Sequence, residues 1–196
     1  MSVVVAIKEN GKVYLGSDSQ CTKGCSRISL SNPNNYKIWV CKDAPNALMA
    51  HTGRVREAQV VKVGGTCINE LDVLHNVIDW EYIVKYFVPD MFEKIMENGL
   101  GNKEKNTIDS SFLFAYGDKL YSIDSDGVVI EVDDFIAIGS GAYEAKGSLL
   151  STVGEEPEER IIKAIKASVA SDIYVDYPII ISNTDTTEFK VINQTN

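Results

Sequence analysis

An α+β fold of four layers, with two antiparallel sheets packed face to face between outer layers of helices, is predicted by three features of the sequence. Strand-like runs fall into groups, and helical segments separate the groups instead of alternating with single strands. Turn signals join neighbouring runs within a group, as antiparallel hairpins require: Asn10-Gly11, Gly117-Asp118 and Asp126-Gly127. The 196 residues suffice for one substantial core and are short for two, so a single domain over 1–196 is expected.

The elements follow in order. Val3-Val4-Val5-Ala6-Ile7 is continuous and mostly β-branched, as a strand buried on both faces would be. Val13 to Ser17 returns from the Asn10-Gly11 turn, and residues 19–35 read as a polar loop that turns at Asn32-Pro33-Asn34-Asn35. Tyr36 to Cys41 is a third strand; Asp43 to Asn46 turns into a fourth, Ala47 to Thr52. Val55, Ala58, Val60, Val61 and Val63 give a helix its apolar side, with Gly64-Gly65 as the stop. From Asp79 to about Asn98, Ile83, Val84, Phe87, Met91 and Ile95 recur at helical spacing, and Pro89 should kink or split that helix. Strands return at Ser111–Tyr116, Leu120–Ile123, Val128–Val132 and Phe135–Ile138. A helix then runs from Ala142 to Ser151. Pro157, with glutamates beside it, opens another whose apolar side carries Ile161, Ala164, Ile165, Ser168 and Val169. Ile179–Ile181 and Phe189–Ile192 close the chain as strands.

Composition excludes several functions. A net charge of −9 opposes binding to a phosphate backbone, so no nucleic-acid partner is expected. No apolar run reaches the roughly 20 residues of a membrane helix, and the start of the chain lacks the features of a signal peptide. A cytoplasmic protein is expected, with Cys21, Cys25, Cys41 and Cys67 as reduced thiols: their spacing with His51 and His75 matches no zinc site. The acidic stretch at Glu155, Glu156, Glu158 and Glu159 reads as a solvated helix start, and His75 as a surface or helix residue.

Ser2 is where the chemistry concentrates. A serine hydroxyl needs a base to take its proton. When serine is the first residue, its own α-amine, with a reference pKa of about 8, can be that base. Methionine is commonly removed ahead of a residue as small as serine. Several segments then stand in a telling order: Ser2-Val3-Val4-Val5-Ala6-Ile7-Lys8-Glu9-Asn10-Gly11, Gly16-Ser17-Asp18, Tyr36-Lys37-Ile38, Ala50-His51-Thr52-Gly53, Ala137-Ile138-Gly139-Ser140-Gly141 and Ala170-Ser171-Asp172-Ile173. Over residues 2–182 this series resembles the proteasome β subunits and HslV, which are N-terminal-nucleophile (Ntn) hydrolases.

That resemblance implies an Ntn-hydrolase sandwich and a peptidase with Ser2 as nucleophile. It places Lys37 beside the nucleophile, Asp18 as the group that orients Lys37, and the Gly53 N–H as oxyanion donor. Ser140 and Gly141 would hold the Ser2 amine, with Asp172 supporting them. Cys21, His51 and Val55 would meet the substrate, and a protonated His51 would favour polar or acidic side chains. The backbone carbonyls of Ser171, Tyr174 and Tyr177 resemble a monovalent-cation loop; no cofactor is required for the reaction itself. Two positions depart from the family: serine stands where threonine is usual, and Val175 where a further serine lies near the amine. The implied partners are peptide or unfolded protein substrates, further copies of the chain in a ring, spiral or dimer, and a separate ATPase unfoldase, since the chain has no ATP-binding phosphate loop of its own. An inactive structural subunit and a hydrolase of small amides are the alternative readings.

Overall fold

A computed structural model of the chain describes residues 1–42, 44–68, 72, 75 and 77–194. The strands are β1 (Val3–Glu9), β2 (Lys12–Ser17), β3 (Gln20–Lys23), β4 (Ser26–Ser29), β5 (Ile38–Cys41), β6 (Ala44–Thr52), β7 (Ser111–Tyr116), β8 (Lys119–Ile123), β9 (Val129–Glu131), β10 (Phe135–Gly139), β11 (Ile179–Asn183) and β12 (Lys190–Ile192). The principal helices are α1 (Val55–Gly64), α2 (Val88–Glu97), α3 (Ala142–Ser151) and α4 (Pro157–Ser171). One sheet has the order β10-β1-β2-β11-β12 and the other β5-β6-β7-β8-β9. All their pairings are antiparallel.

The alternation of β1 explains its unbroken apolar run. Val4 and Ala6 pack with Leu15, Ile38, Leu48, Ala50 and Leu113 between the two sheets. Val3, Val5 and Ile7 point the other way, onto Ala145, Leu149, Ile161 and Ile165 of α3 and α4. On the far side, Met49, Phe112, Phe114 and Tyr121 meet Ala58, Val61, Met91 and Ile95 of α1 and α2. Three apolar seams therefore separate four layers, helix–sheet–sheet–helix, as expected.

Three local expectations are corrected. The polar loop at 19–35 contains the β3–β4 hairpin, whose strands are largely exposed and so lack the apolar alternation that would reveal them. The stretch read as a turn before the fourth strand belongs in part to β6, which begins at Ala44 and bulges against Cys41; Asp43 lies outside the described residues. The Asp79–Asn98 helix is split, but upstream of Pro89. A helical turn at Trp80–Tyr82, capped by the Asp79 carboxylate, leads into a wider π segment at Ile83–Phe87, where the Val88 N–H reaches back to the Ile83 carbonyl. Pro89 has no N–H to donate, and the wide turn accommodates the missing bond.

Candidate active site

The site forms where the first residues of β1 meet the ends of three other elements. Asp18 follows β2, and its carboxylate accepts the Val3 N–H on one oxygen and the Gln20 N–H on the other, each at 3.0 Å. The start of β1 is thereby tied to the end of β2, with Ser2 just outside the ladder and buried. Lys37 precedes β5 on the facing sheet and reaches across. Its Nζ donates to Asp18 Oδ1 at 2.7 Å and to Ser2 Oγ at 2.7 Å. With Lys37 3% and Asp18 0% exposed, this is not the weak surface pair that solvent would screen.

Burial pushes the Lys37 ammonium below its usual range, against the pull of the Asp18 carboxylate. Burial likewise raises Asp18, opposed by Lys37 and by the two backbone amides.

The opposite side of Ser2 is held by the turn from β10 into α3. The Ser2 N–H donates to Ser140 Oγ at 3.1 Å. The Ser2 carbonyl accepts from Ser140 Oγ and from the Gly141 N–H, both at 3.3 Å. Gly139 has φ +98°, and a Cβ there would lie 2.2 Å from the Ser2 carbonyl oxygen; only glycine lets the two backbones come this close. Ser168 of α4 donates to the Gly141 carbonyl at 2.7 Å and fixes the turn from behind. With Met1 in place the Ser2 nitrogen is a peptide amide, and the Ser2 hydroxyl donates to the Met1 carbonyl.

The other expected residues arrange themselves around this centre. Gly53 follows β6 in an exposed turn with φ +109°. Two residues earlier the His51 N–H donates to the Lys37 carbonyl at 3.0 Å, which sets Lys37 against β6. The His51 ring lies between Trp39 and Phe112, and its Nδ1 is buried without a hydrogen-bond partner. His51 and Val55 line a narrow cavity with Tyr36, Trp39 and Lys62. Burial, and then the charge of Lys37, lower the His51 pKa to about 3. The ring is therefore neutral at physiological pH and carries no charge there with which to select acidic side chains. Cys21 sits half-buried on β3, outside that cavity, within electrostatic reach of Lys37.

Asp172 caps the C-terminus of α4. Its Oδ1 accepts the Tyr174 N–H at 2.8 Å, and its Oδ2 is buried with no partner. Ser171 ends α4, and Tyr174 and Tyr177 lie in the following loop. Val175 is buried against the helix-side core. His75 is exposed, and none of Cys21, Cys25, Cys41 and Cys67 forms a disulfide. Among the described residues no three His, Cys, Asp or Glu side chains come together as a metal site, and no helix is long and apolar enough to cross a membrane.

Sequence reasoning gave Ser168 no part in the site and left Gly139 as one residue of a motif, without a role of its own. Ser168 reads as one more position on the apolar side of α4; a serine inside a buried stripe was the available signal, because its hydroxyl must find a partner.

The model of the proteasome subunit family matches residues 2–181. The chain belongs to the proteasome subunit family. The proteasome subunit beta of Nanoarchaeum equitans is 27% identical over 189 residues, covering 91% of this chain and 90% of that protein. Among solved structures, BPH of Thiobacillus denitrificans superposes with a TM-score of 0.70 at 16% identity, covering 92% of this chain and 96% of the other. HslV from Trypanosoma brucei gives 0.63 at 19% identity (92% and 98%), and Anbu from Yersinia bercovieri 0.70 at 14% identity (99% and 88%). At these identities the structures establish a shared fold: the four-layer architecture is that of the proteasome and HslV peptidases.

Proposed function

We propose that this family member is a peptidase whose nucleophile is Ser2 Oγ, made competent when Met1 is removed. The observation that carries the reading is the Lys37 amine, sealed from solvent and bonded at 2.7 Å to both Ser2 Oγ and Asp18 Oδ1. With Met1 gone, the Ser2 nitrogen becomes an α-amine beside its own hydroxyl. Lys37 keeps that amine neutral, because a second positive charge close by is disfavoured. The amine takes the hydroxyl proton as Oγ attacks a substrate carbonyl carbon, and the Gly53 N–H receives the negative charge that develops on the carbonyl oxygen. The amine then returns the proton to the leaving nitrogen, and the C–N bond breaks. Water attacks the resulting ester and regenerates Ser2. Ser140 and Gly141 hold Ser2 in place for both steps. Asp172, whose buried Oδ2 is left without a partner, belongs to the same proposal as a support for the Ser2 amine.

Peptides and unfolded proteins are the proposed substrates, in a cytoplasmic homo-oligomer fed by a separate ATPase. Exposed Tyr143 and Leu150 on α3, with Val153 just beyond it, support contacts between copies. A monovalent cation on the Ser171, Tyr174 and Tyr177 carbonyls belongs to the same proposal. Carbonyl oxygens are hard donors suited to such ions, and the loop they occupy carries Asp172.

The test is the intact mass of the purified chain before and after incubation with epoxomicin, the compound found in a complex of the Thiobacillus denitrificans BPH. The expected result is loss of Met1 and one adduct, abolished by Ser2→Ala. A Met1-free chain that takes no adduct and cleaves no peptide overturns the proposal and points to an inert structural subunit.

A further inference from the structure

The turn that carries Gly53 is held by residues far from it in sequence. The Arg54 N–H donates to Ser110 Oγ at 2.9 Å, and the same hydroxyl donates to the Arg54 carbonyl at 3.4 Å. One side chain thus brackets the residue directly after Gly53. The backbone leading into β7 presses on Gly53 itself: a Cβ there would lie 2.4 Å from the Asp109 carbonyl oxygen and 2.7 Å from Ser110 Cα. That segment is anchored in turn by Glu57, fully buried in the first turn of α1, whose two carboxylate oxygens both accept the Asp109 N–H at 3.1 Å.

A buried carboxylate is costly unless its hydrogen bonds repay desolvation. Here it is devoted to one backbone amide beside an exposed turn. Lys37 and Asp18 take no part in these contacts.

We infer that Ser110 and Glu57 are positioning residues: they clamp the Gly53-Arg54 turn so that the Gly53 N–H points to where the substrate oxyanion forms. The inference rests on the peptidase reading above for its kinetic consequence, but the clamp itself is testable without activity. Misplacing such a donor by about 1 Å reduces turnover on the order of 100-fold, while substrate side chains still bind.

The experiment uses the full chain with Met1 removed, as the unsubstituted protein, Ser110→Ala, Ser110→Thr and Glu57→Gln. Amide hydrogen exchange is followed at Gly53 and Arg54, and kcat and KM are measured on a fluorogenic peptide. We expect Ser110→Ala to speed exchange at Arg54 and Gly53. It should lower kcat by about 10- to 100-fold with KM unchanged and with the pH dependence of the unsubstituted enzyme. Ser110→Thr, which keeps the hydroxyl, should restore both readouts, and Glu57→Gln, which keeps one acceptor, should fall between. Unchanged exchange in Ser110→Ala overturns the clamp. Faster exchange with unaltered kcat overturns its role in positioning. Should Ser110→Ala fail to fold, Ser110→Thr and Glu57→Gln decide on the same readouts. A chain that neither cleaves nor takes epoxomicin sinks the peptidase reading, and the exchange rates alone then judge the clamp.

Discussion

Two cations are buried beside β1, one at each end, and their partners set them apart. Arg160 packs near the Glu9 end. Its guanidinium donates to Glu9 at 3.3 Å and to the Leu149 carbonyl at 3.2 Å, and lies 5.8 Å from the Phe135 ring centroid. Each of these groups belongs to a strand or helix that Arg160 joins to another. Lys37, at the Ser2 end, bonds one carboxylate and one hydroxyl, and burial lowers the pKa of its amine. Burial is shared by the two sites; a partner able to react, the Ser2 hydroxyl, belongs to one. A buried cation is thus informative about chemistry only when one of its partners can react.

The contrast breaks most readily at Lys37. Lys37→Met should reduce peptide cleavage by about 1,000-fold, measured well below the melting temperature. It should also destabilise the fold by about 3–5 kcal/mol, because Asp18 is left buried without its cation. Retained cleavage would make Lys37 a structural cation like Arg160.

His51, whose N–H bonds the Lys37 carbonyl, sharpens the same comparison as a buried imidazole beside Lys37. Its pKa falls from 6.5 unfolded to about 3 folded. Below pH 6.5 the unfolded chain therefore takes up a proton that the folded chain refuses. Stability associated with the neutral ring is complete above pH 6.5 and is lost as pH drops toward 3. In His51→Gln, urea titrations across that window should show a shallower decline; parallel curves would mean that His51 is not held neutral.

Arg160→Met tests the other end of β1. We expect a loss of about 2 kcal/mol from the broken bonds and the lost packing on Phe135, with kcat unchanged. A fall in kcat with the melting temperature preserved would remove the distinction between the two cations. The smallest effect is expected from Ser2→Thr in the Met1-free chain. The added methyl restricts the rotamer without altering the hydroxyl's partners, so kcat should change by about threefold or less. A large fall would mean that the pocket around Ser2 is shaped to exclude that methyl.

Much of the fold was legible in the residues. The both-faces-apolar β1 run, the Asn10-Gly11 turn and the Gly139-Ser140-Gly141 passage into α3 each carry a local signal, because backbone geometry at those points depends on the side chains present there. The β3–β4 hairpin was not legible, since four exposed residues on one strand leave no buried face to read. The π segment escaped as well: Pro89 announces a disturbance, but only packing decides on which side of it the helix widens.

At the candidate site the division follows sequence distance. The residue types needed for the chemistry, and the order in which Ser2, Asp18, Lys37, Gly53 and Ser140 occur, could be read along the chain. Their convergence, the neutrality of His51, the hydroxyl of Ser168 behind Gly141 and the clamp of Ser110 and Glu57 on the Gly53 turn could not. The hydrogen bonds of Ser110 to Arg54 and of Asp109 to Glu57 span 56 and 52 positions, and Ser2 reaches Ser140 across 138. Local propensity and periodicity say nothing of such pairs. They exist because two sheets with apolar inner faces pack together and bring the ends of β1, β2, β6 and β10 to one edge, and burial at that edge then sets which charges persist.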